Sequence, residues 1–139
     1  MSVVKSKQSQ GDLALLTKAN EMTCYTLQIC SNEGNFPKRY RWCVTNKIVD
    51  SAVDINRFLN AANSVKVEES DDYQLRRSLQ KRALAETYSL LATIRVANSV
   101  FGIESGRLEH WSRLIYDVQN YLRAWAKSDK SRYKQVNGC

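Results

Sequence analysis

"LEHWSRLIYDVQNYLRAW", residues 108–125, decides the fold. Leu108, Trp111, Ile115, Val118, Leu122 and Trp125 recur at steps of three, four, three, four and three. That spacing keeps apolar side chains on one stripe of an α-helix, whereas a half-buried strand would alternate with period two. A helix with a single apolar stripe needs other elements to cover it, so the rest of the chain is read for matching stripes.

Three more are found upstream. Leu15, Ala19, Met22, Thr26 and Ile29 repeat at four and three, after a possible N-cap at Gly11–Asp12 and before Gly34, a candidate left-handed cap. Pro37 suits the first position of a second helix, because its fixed φ and missing N–H cost nothing there. The inward stripe of that helix is Thr45, Ile48, Ala52, Ile55, Leu59 and Ala62, and one turn further back it places Arg41 on the same side. Periodicity then fades in "NAANSVKVEESDD". Asp71 or Ser70 opens a third helix with Leu75, Leu79, Ala83, Thr87, Leu90, Leu91, Ile94 and Ala97 inward, ending around Phe101–Gly102. Ser105 is the expected cap of the fourth.

Amphipathic helices joined by short connections predict an all-α fold, an antiparallel up-and-down four-helix bundle over residues 11–128. Residues 1–10 read as a flexible polar lead and 129–139 as a flexible basic tail. At 139 residues the chain is long enough to bury one core without disulfides. No apolar run approaches a membrane span, and the first residues have no secretion-signal h-region, so the expected compartment is the cytoplasm.

Catalysis needs a nucleophile with a base, paired carboxylates or metal ligands at workable spacing, and none is visible. Asp50 and Asp54 share an outward face, and the single histidine, His110, stands beside Glu109. Cys24, Cys30, Cys43 and Cys139 match neither a zinc ribbon nor a CxxC pair, and the glycines sit singly rather than in a phosphate-cradling loop. The expectation is a protein without enzymatic activity, metal or cofactor.

The basic residues carry more information. Twenty-one Lys and Arg against fourteen Asp and Glu leave a net charge of +7, enough to attract a polyanion. In an up-and-down bundle, Lys38, Arg39, Arg41, Arg95, Arg107 and Arg113 gather at one end. Three of these occupy the opening turns of the second helix, where the macrodipole is positive and each costs roughly 0.3–1 kcal/mol. Stability does not select that placement, whereas phosphate binding does. Tyr40 and Trp42 would stack on bases, or Phe36 and Trp42 would close the end of the core. At the opposite end, Glu68, Glu69, Asp71 and Asp72 are expected to neutralise the cations of residues 76–82.

Two further stripes fall outside the core faces. Ala85, Ser89, Ala92 and Val96 on the third helix, and Trp42, Val49 and Val53 on the second, suggest a surface covered by another copy of the chain.

The "FPK" at Phe36–Lys38, the tryptophan seam of the fourth helix and "LRAWAKSDKSRY" at Leu122–Tyr133 give the chain a resemblance. Over about residues 12–130 it resembles the four-helix bundle family of the accessory variability proteins of diversity-generating retroelements and the proteins of 23S ribosomal RNA intervening sequences. The resemblance implies a basic, barrel-like homopentamer that binds RNA, DNA or their hybrid and assists a reverse transcriptase. It adds Lys127 to the nucleic-acid-binding residues. The residues alone leave open a second reading, a helical bundle whose basic surface docks an acidic protein.

Overall fold

The structure is a computed structural model that describes residues 3–137, with side chains from 13 to 136. The described residues are helical throughout apart from short connections, with no strand. Four long helices, α1 (Val3–Ser31), α2 (Asn46–Ser64), α3 (Ser70–Phe101) and α4 (Ser105–Arg132), are followed by one short turn of helix, α5 (Lys134–Asn137). In the core, α1 packs on α2 and α4, and α3 packs on α2 and α4. No described helix is long and apolar enough to cross a membrane.

Every residue of the α1 stripe, Leu15, Ala19, Met22, Thr26 and Ile29, is buried. The α1 backbone is already helical at Val3, upstream of Gly11–Asp12, so those two residues lie inside the helix and do not cap it. At the other end Gly34 is not left-handed, since the only positive φ among the described residues belongs to Gly102. Asn32 closes this turn instead. Its side-chain oxygen accepts the Gly34 N–H at 2.8 Å and its carbonyl accepts those of Asn35 and Phe36.

Pro37 precedes the second helical segment as its N-cap, at φ −57° and ψ 138°, and so does not take the first helical position, and the segment opens irregularly. A 3-10 turn (Lys38–Tyr40) runs into a π turn (Arg41–Thr45) before α2 becomes regular. The π turn inserts an extra residue, so counting back one α-helical turn from Thr45 misplaces Arg41. Val44 and Thr45 point inward, Trp42 is 82% exposed, and Arg41 turns outward to pair with Glu33 at 3.7 Å. From Thr45 onward the expected stripe holds, with Ile48, Ala52, Ile55, Leu59 and Ala62 all fully buried.

Neither Ser70 nor Asp71 caps α3. Glu69 does so within a reciprocal capping box, in which Asp72 Oδ2 accepts the backbone N–H groups of Glu69 and Glu68 at 3.0 Å each. Buried α3 residues run Tyr73, Arg76, Gln80, Ala83, Thr87, Leu90, Ile94 and Ala97, again in steps of three and four. The first turns therefore differ from the apolar expectation: Leu75 is 54% exposed, and Leu79 only half-buried. Two polar residues, Arg76 and Gln80, take the inward places.

Gly102, at φ 74°, ends α3 where a side chain would be strained. Glu104, not Ser105, caps α4: its two carboxylate oxygens accept the N–H groups of Gly106 and Arg107 at 2.9 Å each. The seam of α4 is as expected from Trp111 to Trp125, with Leu108 half-buried. The helix continues to Arg132, past the expected limit at 128, and Asp129 within that extension is 1% exposed. Gly138 and Cys139, the last residues of the expected tail, lie outside the described residues, as do Met1 and Ser2 of the expected lead.

Candidate nucleic-acid interface

The irregular start of the second segment is built around Phe36. Its ring, 3% exposed, meets Phe101 and Trp111 edge to face at centroid distances of 5.3 and 5.8 Å. Tyr40 stacks on Phe101 at 5.2 Å, so its ring belongs to the end of the core and is not a free platform for a base. Trp42 does not help Phe36 close that end, because it faces water. The aromatic residues of this stretch thus divide into two anchors and one exposed indole.

The charges around these anchors stay outside. Lys38, Arg39, Arg41 and Arg107 are all exposed. Arg107 Nη1 donates to Asn35 Oδ1 at 2.5 Å, tying the first turn of α4 to the loop that leads into Pro37. The Tyr25 hydroxyl donates to the Arg107 carbonyl at 3.4 Å, and burial raises its pKa, with the Arg107 charge opposing. Arg39 lies 5.1 Å from the Tyr40 centroid, a cation held over a ring that is itself fixed. Two acids meet this group: Glu33 pairs with Arg41, and Glu104 accepts the Arg107 backbone N–H and feels the Arg107 charge. The result is a solvent-facing cationic cluster on a rigid base.

The other expected site residues are spread more widely. Arg95 lines a separate cleft of about 190 Å³ with Asn98, Ser112 and Tyr116, between α3 and α4. Arg113 forms an exposed pair with Glu109 at 2.9 Å, one helical turn apart. Lys127 stands in the last turns of α4, roughly 30 Å from Arg107 at 1.5 Å per residue. Lys38, Arg39 and Arg41 open the second segment, Arg107 is tied to the loop before it through Asn35, the Arg95 cleft reaches Leu108 beside Arg107, and Lys127 lies at the far end of α4.

The cations near residues 76–82 are not neutralised as expected. No ion pair among the described residues links Glu68, Glu69, Asp71 or Asp72 to Arg77, Lys81 or Arg82. Glu69 and Asp72 are used by the capping box. Arg76 instead turns inward to Asp129, across 53 residues of sequence, a pairing that no local charge pattern could reveal.

Of the two expected contact stripes, Ala85, Ser89, Ala92 and Val96 are exposed along α3. Val49 and Val53 are half-buried and Val49 packs against the core, whereas Trp42, in the π turn ahead of α2, is exposed. Nothing among the described residues gathers three potential metal ligands. Cys30 is buried, and burial pushes its thiol up to about 12, while Cys24 and Cys43 are exposed. His110 is exposed and meets the Tyr25 ring edge-on at 4.8 Å.

Comparison of the chain with protein-family models, with curated proteins and with solved structures gives no match.

Proposed function

We propose that this chain is a non-enzymatic accessory protein that binds nucleic acid through the cationic cluster at the start of its second helical segment. The observation that carries this reading is the separation of roles there. Phe36 and Tyr40 are consumed by packing, while Lys38, Arg39, Arg41 and Arg107 stay in water beside the opening turns of a helix. Cations at a helix start are disfavoured by the macrodipole, and a bound phosphate offsets that cost.

An antiparallel up-and-down four-helix bundle is part of the proposal. It is supported by contacts that join the start of the second segment to the end of α3 and the start of α4, and by others that join the start of α3 to the end of α4. Assembly as a homopentamer and service to a reverse transcriptase follow from the resemblance and belong to the same proposal.

The test is affinity for single-stranded and duplex RNA and DNA across a salt series. Affinity should fall steeply with salt, and Lys38, Arg39 and Arg41 changed together to Gln should lower the log–log slope by about 2–3. Equal affinity and slope for both proteins would remove the cluster from the interface. Retention of a partner protein after nuclease digestion would favour the alternative, a basic surface that docks an acidic protein.

A further inference from the structure

A second positively charged feature lies at the opposite end of α4. Between the early turns of α3 and the late turns of α4 a cleft of about 260 Å³ is open to solvent. Its polar rim is Arg77 from α3 with Arg123, Lys127 and Lys130 from α4, and its floor is Leu84, Leu122 and Ala126. Four cations and no carboxylate line it.

Asp129, which accepts a bond from the cleft residue Gln80, is already satisfied. It is buried, accepts two bonds from Arg76 at 2.6 and 3.0 Å and one from Gln80 at 2.7 Å, and has Arg132 within 3.6 Å. Its charge is thus paired inside the protein, so it does not pair with the four cations of the cleft. The macrodipole accounts for Lys130, in the last turn of α4, but not for Lys127 more than a turn earlier. It does not account for Arg77, which stands in an early turn of α3, nor for the cavity between the helices.

We propose that this cleft binds a phosphate ester. The phosphate sits among Arg77, Arg123, Lys127 and Lys130, and the sugar or other organic part lies against Leu84, Leu122 and Ala126. Arginine forks and lysine ammoniums are the standard partners of phosphate, and an apolar floor beside them selects an ester over the free ion. At about 260 Å³ the cleft is slightly smaller than a usual small-ligand pocket, room for the phosphate and the adjoining part of the ester. Arg123 also meets the exposed Tyr88 hydroxyl. The site is separate from the cluster around Lys38 and does not depend on that cluster's binding nucleic acid.

The test is a proton–nitrogen NMR titration of the full chain with adenosine monophosphate and, separately, with inorganic phosphate. The expected result is saturable shifts at residues 77–84 and 122–130 with the nucleotide at a several-fold lower concentration than with phosphate. These shifts should be lost in the Arg123→Gln/Lys127→Gln/Lys130→Gln variant and kept in the Lys38/Arg39/Arg41→Gln variant. Circular dichroism establishes that each variant is folded. Equal, unsaturable shifts at all surface cations, or none at the cleft, overturn the proposal. Binding of the nucleotide at the cleft without any affinity for oligonucleotides would sustain this site while removing the nucleic-acid role. Oligonucleotide binding with a silent cleft would do the reverse.

Discussion

Arg76 donates through Nε to Asp129 Oδ2 at 2.6 Å and through Nη2 to Oδ1 at 3.0 Å, and the pair is almost wholly shielded from water. The guanidinium is also covered by Trp125, 4.6 Å from the ring centroid, and Tyr133, 5.8 Å away. Two aromatic rings and a bidentate carboxylate hold a charged group where an apolar one would otherwise sit. Asp129 thereby locks the end of α4 to the first turns of α3.

Removing one member leaves a buried charge uncompensated. Asp129→Ala should destabilise the protein by about 3–5 kcal/mol, whereas Arg76→Met together with Asp129→Leu should recover most of that loss. Urea denaturation of the wild type and the two variants gives the comparison. A double variant as unstable as the single one would mean that packing, not charge, dominates there.

Most of the core was legible because α1, α2 and α4 bury apolar residues at regular helical steps. The first turns of α3 were not, because Arg76 and Gln80 occupy inward positions that hydrophobicity assigns to Leu75 and Leu79. One sign was present. Asp129 extends the α4 seam by a further step of four beyond Trp125, and it is the single acid in an otherwise basic segment. The π turn at Arg41–Thr45 gave no such sign, so the outward placement of Arg41 could be seen only in the fold, whereas Trp42 already stood on an outer stripe in the sequence. For the candidate site, the clustered charges were readable from sequence, and the cleft between α3 and α4 was not, since its rim comes from distant segments.

A second buried polar link should be sensitive to one atom. Thr26 Oγ1 accepts the indole N–H of Trp111 at 2.9 Å while donating to the Met22 carbonyl at 2.8 Å, and both side chains are fully buried. Thr26→Val keeps the volume and orphans the indole donor, so it should cost about 1–3 kcal/mol. Thr26→Ser, which keeps the hydroxyl, should restore the Trp111 N–H bond and cost less. Thermal melts that rank Val above Ser in stability would contradict the role given to this bond.

The cap of α4 sets a pH dependence. Glu104 has a pKa below the ordinary carboxylate value, first because it accepts the Gly106 N–H, then the Arg107 N–H, with a smaller contribution from the Arg107 charge. A depressed folded pKa means that its stabilisation is present above the unfolded value, near about 4.3, and is lost as pH falls through the lower folded value. The stability gap between the wild type and Glu104→Gln should therefore be open at neutral pH and narrow steadily in acid. Denaturation curves at several pH values would read this directly, and a gap independent of pH would rule out ionisation as its source.

Trp42 offers the sharpest test of self-association. Trp111 and Trp125 are buried at 0% and 6% exposure, whereas Trp42 is 82% exposed, so solvent-sensitive tryptophan emission from the separate chain comes from Trp42. A large exposed aromatic is a common anchor in protein interfaces, and it makes little contact with its own chain's core. Trp42→Ala should then change the stability of the separate chain by no more than about 0.5 kcal/mol. If the proposed homo-oligomer uses this surface, raising the wild-type concentration should shift the emission to shorter wavelength and reduce iodide quenching. Light scattering should show a parallel rise in mass, and Trp42→Ala should weaken that rise. A wild type that remains a monomer across the series, with Trp42 fully quenchable throughout, would remove both the oligomer and this residue's part in it.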